Sequence, residues 1–230
     1  MSQPMGQMNL PPLSVRTRNV LIALIGAFVV EVLLRNLGVS LVDHLGWHSL
    51  SSGFQPWQPL TRVLVQGNNV TGVLILAFIL YLSLDHVMTA LGRRLFFQGL
   101  AAGAVGGIVL GFAMDALGLL SGVAVGLSCF IMPMFALYGL ALRDRKIALF
   151  FVLVVPAKYV AWGAGAIGLI FLVASFSLDA AVNFGTWGGT VGWWFLFGPG
   201  GRRRKLKKSA RRIEHELRVI QGGRNGPTYH

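Results

Sequence analysis

VTGVLILAFILYLSLDHVMTALGRRLFFQGLAAGAVGGIVLGFAMDAL, residues 70–117, is two apolar runs hinged on Gly92, Arg93 and Arg94. Each run exceeds the roughly 20 residues that carry an α-helix across a hydrocarbon core of ~30 Å. The runs are continuous, without the alternation of short segments that a transmembrane barrel requires. The stretch therefore reads as a helical hairpin through a membrane, with its turn marked by two arginines.

The rest of the chain repeats that pattern. Of its 230 residues, 54% are hydrophobic and 12% charged, a balance that excludes an ordinary water-soluble domain. Apolar runs predict helices near 19–38, 70–91, 95–118, 122–142, 157–177 and 179–197. The fold class is all-α integral membrane: a six-helix domain over 19–197, preceded by a short segment (1–18) and followed by a basic tail (198–230). The polar start and the absence of a small-residue cleavage site make the first helix a retained one. Residues 147–156, before Lys158, read as an interfacial or partly buried approach to the fifth span, which keeps that cation out of the bilayer centre.

Basic residues orient the bundle. Arg16, Arg18, Arg93, Arg94, Arg143, Arg145, Lys146 and the ten in the tail make 17 of the 20 basic residues, all on one side of six spans. The positive-inside rule puts that side, and both termini, in the cytoplasm. Loop 39–69 then lies outside, and its Trp47, His48, Phe54, Trp57 and Arg62 suit the headgroup region. Glu31 and Arg35, four apart, are placed to pair on one helix face. Gly103, Gly107 and Gly111, with the pairs Gly185/Gly189 and Gly188/Gly192, mark faces where helix backbones approach closely.

Several segments, in order, resemble the rhomboid intramembrane protease family. WQPLTRVLVQ (57–66) is similar to the family's first loop and start of its second helix, with a Trp-Arg-x-x-Thr-x-x-Phe-x-His pattern. ALGRRLFF (90–97) resembles the turn between helices two and three, and VGLSC (125–129) the Gly-x-Ser-Gly motif of helix four. VPAKYVAWG (155–163) looks like the start of helix five, and GTWGGTVG (185–192) like the His-x-Gly-Gly part of helix six. The resemblance covers about residues 55–195 and implies a six-helix bundle with an intramembrane serine nucleophile activated by a helix-six histidine.

At those positions the chain departs from the family. Ser128 stands at the serine, followed by Cys129, but Thr186 replaces the histidine. Gln66 replaces the histidine closing the first motif, and the helix-two oxyanion positions fall near Thr71 and Ile75. The histidines present are His44, His48, His86, His215 and His230, none of them in spans three to six. Ser128, about six residues into its span, is expected roughly 9 Å deep, with Thr186 at a comparable depth and able to face it. A serine hydroxyl needs a base to become a useful nucleophile, and threonine is not one. General-base help is worth about 10²–10⁴ in rate.

The expectation is a pseudoprotease that binds transmembrane client helices without cleaving them. The alternatives are an active serine protease with a non-standard base and, from a different class, a small transporter. No cofactor and no metal site is expected, and the single Cys129 excludes an internal disulfide. Arg202, Arg203, Arg204, Lys205, Lys207, Lys208, Arg211 and Arg212 follow a span directly, so anionic lipid headgroups, not nucleic acid, are their expected partner. The location expected is a bacterial plasma membrane.

Overall fold

The computed structural model describes residues 14–67, 70–126, 128–143, 145–149 and 153–201. The basic tail, Arg202 to Arg212 included, lies outside them. Most of the described chain is helical: α1 (Val15–Asn36), α2 (Leu41–Leu45), α3 (Gln58–Thr61), α4 (Val70–Leu91), α5 (Arg93–Ala116), α6 (Ser128–Ala141), α7 (Ala157–Ser175) and α8 (Leu178–Leu196). Short strands β1 (Trp47–His48) and β2 (Val123–Ala124) pair antiparallel, as do β3 (Lys146–Leu149) and β4 (Leu153–Pro156). A 3-10 turn over Arg62–Leu64 extends α3.

Four helices are long and apolar enough to cross a membrane: Thr17–Asn36 within α1, then α4, α5 and α7. The other two expected spans differ from these. Helix α8 matches α7 in length, but its Asp179, Asn183, Thr186, Thr190 and four glycines dilute its hydropathy. Helix α6 has 14 residues, about 21 Å, which is short of a full hydrocarbon crossing. The expected start of the fourth span near residue 122 is therefore corrected. Residues 123–124 form β2, Gly122 adopts a left-handed φ of 91°, and Ser128 opens α6 instead of lying six residues inside it.

Antiparallel packing sorts the helix ends. The start of α1 meets the end of α4 through Ser14 Oγ, which donates to Asp85 Oδ1 at 2.7 Å. Gly99 near the start of α5 packs on Leu137 of α6 and Trp193 of α8, and Gly139 of α6 packs on the start of α7. Arg18, Arg93, Arg94, Arg143, Arg145 and Lys158 gather at this end. The opposite end carries Glu31, Asp43, Asp115 and Asp179, with Arg35 and Arg62. Both ends of the described chain lie on the basic side.

Helices α5 and α8 make the closest pair. A Cβ at Gly106 would sit 2.6 Å from Gly185 O and from Gly189 Cα; one at Gly185 would meet Gly107 Cα at 2.9 Å. Gly103 and Gly107 face Thr190 and Thr186, and Gly111 accommodates the ring of Trp47. Gly188 and Gly192 meet nothing within 4 Å, so the second expected glycine pair is not part of this interface. Helix α7 is tied on by Trp187, whose Nε1 donates to Ala161 O at 2.8 Å.

The approach to α7 is the β3–β4 hairpin, with Ile147 opposite Val155 and Leu149 opposite Leu153. The loop 39–69 also departs from expectation. Trp47, Gln58, Arg62 and Gln66 are buried against the bundle instead of lying among headgroups. Trp47 packs on Gly111 and stacks at a tilt on Phe112, with ring centroids 4.8 Å apart. Leu50 N–H donates to Asp115 Oδ2 at 2.8 Å, which pins the loop to the end of α5.

Candidate functional site

Most of the buried polar side chains, Glu31, Ser49, Gln58, Arg62, Gln66 and Asp115 among them, lie in the half toward the loop, where α6 also starts. The lead-in to that helix is held from both sides. Strand β2 pairs with β1, placing Val123 opposite His48, and Gly126 N–H donates to Val65 O at 2.9 Å. A side chain at Gly126 would collide with Arg62 O and Val63 Cα, so only glycine lets these two backbones touch. Leu178 N–H donates to Ser121 O at 3.0 Å and ties the same lead-in to the start of α8. The start of α6 is thereby fixed, with Ser128 as its first residue; the Ser128 side chain lies outside what the structure describes.

Thr186 does not present a free hydroxyl. It is fully buried, and its Oγ1 donates to Asn183 O of its own helix at 2.7 Å. Its methyl group points at Gly107, so the side chain is packed into the α5 interface. These contacts place the Thr186 side chain against α5. One turn away, Thr190 Oγ1 donates to Thr186 O at 2.9 Å and lies 3.2 Å from Gly99 O.

The positions near which the resemblance puts oxyanion donors are also turned elsewhere. Thr71 and Ile75 lie on the exposed face of α4. Gln66 is buried, and its backbone N–H donates to Glu31 Oε2 at 2.7 Å. The expected Glu31–Arg35 pairing is thus corrected. Glu31 faces inward to the loop, whereas Arg35 is exposed, because a buried carboxylate gains more from a desolvated N–H than from a solvated cation.

Sequence reasoning passed over one polar group in this region and placed another only in the loop. Asn183 Nδ2 donates to Asp179 Oδ2 at 3.0 Å, while its Oδ1 is buried without a hydrogen-bond partner. Their i, i+4 spacing three residues before Thr186 was the available signal. His48 is the second. Its backbone N–H donates to Gln58 Oε1 at 3.1 Å, and its Nε2 is buried without a partner. A sequence cannot show that a loop histidine is strand-paired five residues upstream of Ser128. Arg62 sits with its guanidinium carbon 5.4 Å from the centroid of the Trp47 ring, and Nε donates to Pro59 O. Among the described residues no group of His, Cys, Asp and Glu is placed to hold a metal ion.

Comparison with known proteins finds no matching family model, no matching curated protein and no matching solved structure.

Proposed function

We propose that this chain is a rhomboid-like, six-span protein of a bacterial plasma membrane, with cytoplasmic termini, that binds transmembrane helices of client proteins without cleaving them. The observation that carries the reading is Thr186. At the position where the resemblance calls for a general base stands a buried threonine whose only proton goes to its own helix backbone. A threonine hydroxyl is far too weak a base to take a proton from Ser128 near neutral pH. The outward turn of Thr71 and Ile75 adds to this, since one oxyanion donor alone is worth about 10²–10³ in rate.

Helix binding draws its support from α8, where Gly188 and Gly192 leave backbone open with no neighbour within 4 Å. Small residues four apart are where membrane helices approach each other closely. The clustering of basic residues at the end shared by both chain ends supports the cytoplasmic assignment. The tail residues from Arg202 to Arg212 act there on anionic headgroups.

A second reading, an active serine protease, is favoured by one observation: the unpartnered Nε2 of His48, on the strand opposite Val123. One experiment separates the two. Full-length protein in detergent is exposed to a fluorophosphonate probe alongside Ser128→Ala and His48→Ala. The client-binding reading expects no labelling of the wild type. Labelling that is lost in both variants, with folding intact, refutes it and makes His48 the base.

A further inference from the structure

The pairing of β3 with β4 leaves the two edges of the hairpin unequal. Ala157 N–H donates to Arg145 O at 2.9 Å, and the register continues with Lys146 opposite Pro156, Ile147 opposite Val155, Ala148 opposite Val154 and Leu149 opposite Leu153. Hydrogen-bonded and non-hydrogen-bonded pairs alternate along an antiparallel ladder. The bond to Arg145 O makes Lys146–Pro156 and Ala148–Val154 the non-hydrogen-bonded pairs, so these four residues turn their backbone groups outward. On the β4 edge the outward groups belong to Val154 and to Pro156, which has no N–H. On the β3 edge, Lys146 and Ala148 each offer an N–H and a C=O. Among the described residues no third strand pairs with either edge.

Composition makes an open edge costly here. The register puts Ile147, Leu149, Leu153 and Val155 on one face and Ala148 and Val154 on the other, so neither face of these strands is polar beyond Lys146 at its base. A two-stranded hairpin by itself is marginally stable, and three or more strands are needed for independence. An apolar edge strand with unpaired N–H and C=O groups is a template for another strand, and proline is a residue that blunts such an edge. Proline stands on β4 and not on β3. The hairpin joins α6 to α7 at the basic end of the bundle, so copies inserted alike in one membrane carry it at the same depth.

We infer that β3 is a self-association edge: it pairs antiparallel with β3 of a second copy, in a four-stranded sheet ordered β4–β3–β3–β4. One register uses every outward group of the described β3 residues. With Ile147 opposite its own equivalent on a two-fold axis, Lys146 of each copy forms a hydrogen-bonded pair with Ala148 of the other. The same register keeps the two Lys146 positions from standing opposite each other. The two-fold axis of such a pair is perpendicular to the sheet. Copies inserted alike share an axis along the membrane normal, so the sheet lies in the membrane plane. The inference rests on the chain being membrane-embedded; neither client binding nor the family resemblance enters it.

Oxidative cross-linking of the full-length chain in liposomes, in a Cys129→Ala background, tests the register. Ile147→Cys puts two Cα atoms about 4.5 Å apart, within reach of a disulfide. Val155→Cys, opposite it on β4, puts them three strand spacings apart, ~14 Å, and out of reach. A yield of disulfide dimer severalfold higher at Ile147→Cys is expected; equal yields, or none at either site, overturn the inference. A second measurement covers cysteine variants that insert poorly: stepwise photobleaching of singly labelled chains in liposomes. The wild type bleaches in two steps. Ala148→Pro, which removes an outward N–H and no bond of the hairpin, bleaches in one, and Val154→Pro on the other edge stays at two. A wild type that bleaches in one step overturns the inference and leaves the edge to headgroup water. Two steps in all three proteins overturn it too, in favour of a different interface.

Discussion

Gly106→Ala measures the close backbone contact between α5 and α8. The added methyl carbon would sit 2.6 Å from Gly185 O and from Gly189 Cα, and 2.9 Å from Gly189 N. All three are backbone atoms, so no side-chain rotation relieves the clash. Reaching ordinary contact near ~3.5 Å requires α5 and α8 to part by roughly 1 Å. Overpacking of this kind costs about 1–3 kcal/mol, offset by about 1 kcal/mol of helix propensity gained over glycine. Gly188→Ala is the control, since nothing lies within 4 Å of that position and only the propensity changes. The expected difference between the two variants is thus the clash alone, about 1–3 kcal/mol. For a chain of this size that corresponds to roughly 2–12 °C in midpoint. Thermal unfolding of both proteins in one detergent, followed by circular dichroism, reads it directly. Equal midpoints would show that α5 and α8 do not pack through Gly106, Gly185 and Gly189.

Three further outcomes are expected. Thr186→His places a larger ring where Gly107 and Gly103 leave room for a methyl group, so the variant loses about 1–3 kcal/mol of stability and gains no probe labelling; a stable, labelled protein in the same fluorophosphonate assay would overturn the α8 geometry. Cysteines at Ser52 and Leu117, both exposed, label with a membrane-impermeant maleimide on intact cells, whereas one at Lys207 does not; outside labelling at Lys207 inverts the topology. Replacing Arg202, Arg203, Arg204, Lys205, Lys207 and Lys208 by Gln removes about 1 kcal/mol per residue of attraction to anionic vesicles, an effect that salt also suppresses. Equal binding of the native tail peptide to neutral and anionic vesicles would contradict the lipid assignment.

Helix positions were legible wherever one solvent acts along a whole segment. Expected starts at 70 and 157 coincide with Val70 and Ala157, because lipid demands an uninterrupted apolar run and the run's edge is the helix edge. The same rule misread residues 122–126. They are largely apolar, so they look like helix, yet β1 and Val65 already supply backbone partners there. An apolar loop buried in protein and an apolar helix in lipid have one composition, and only long-range pairing separates them. Glu31 failed for a related reason: spacing on one helix offers Arg35, but the fold offers Gln66, 35 residues away.

The candidate site was legible as a set of substitutions and illegible as geometry. Thr186 at the position where the resemblance places a base is visible in the sequence; that its proton is committed to Asn183 O and its methyl to Gly107 is not. That commitment bears on the function more than the substitution does. Here Gly103 and Gly107 admit α8 at a distance that leaves Thr186 no spare volume, so the close α5–α8 contact itself excludes an imidazole. Restoring a base at this position therefore means separating two helices whose stability rests on their being close. On the proposed reading, the lack of a base at this position follows from the packing of the bundle, and the groups open to a partner are those facing outward: the glycines of α8 and the exposed Trp57, Leu60 and Leu64.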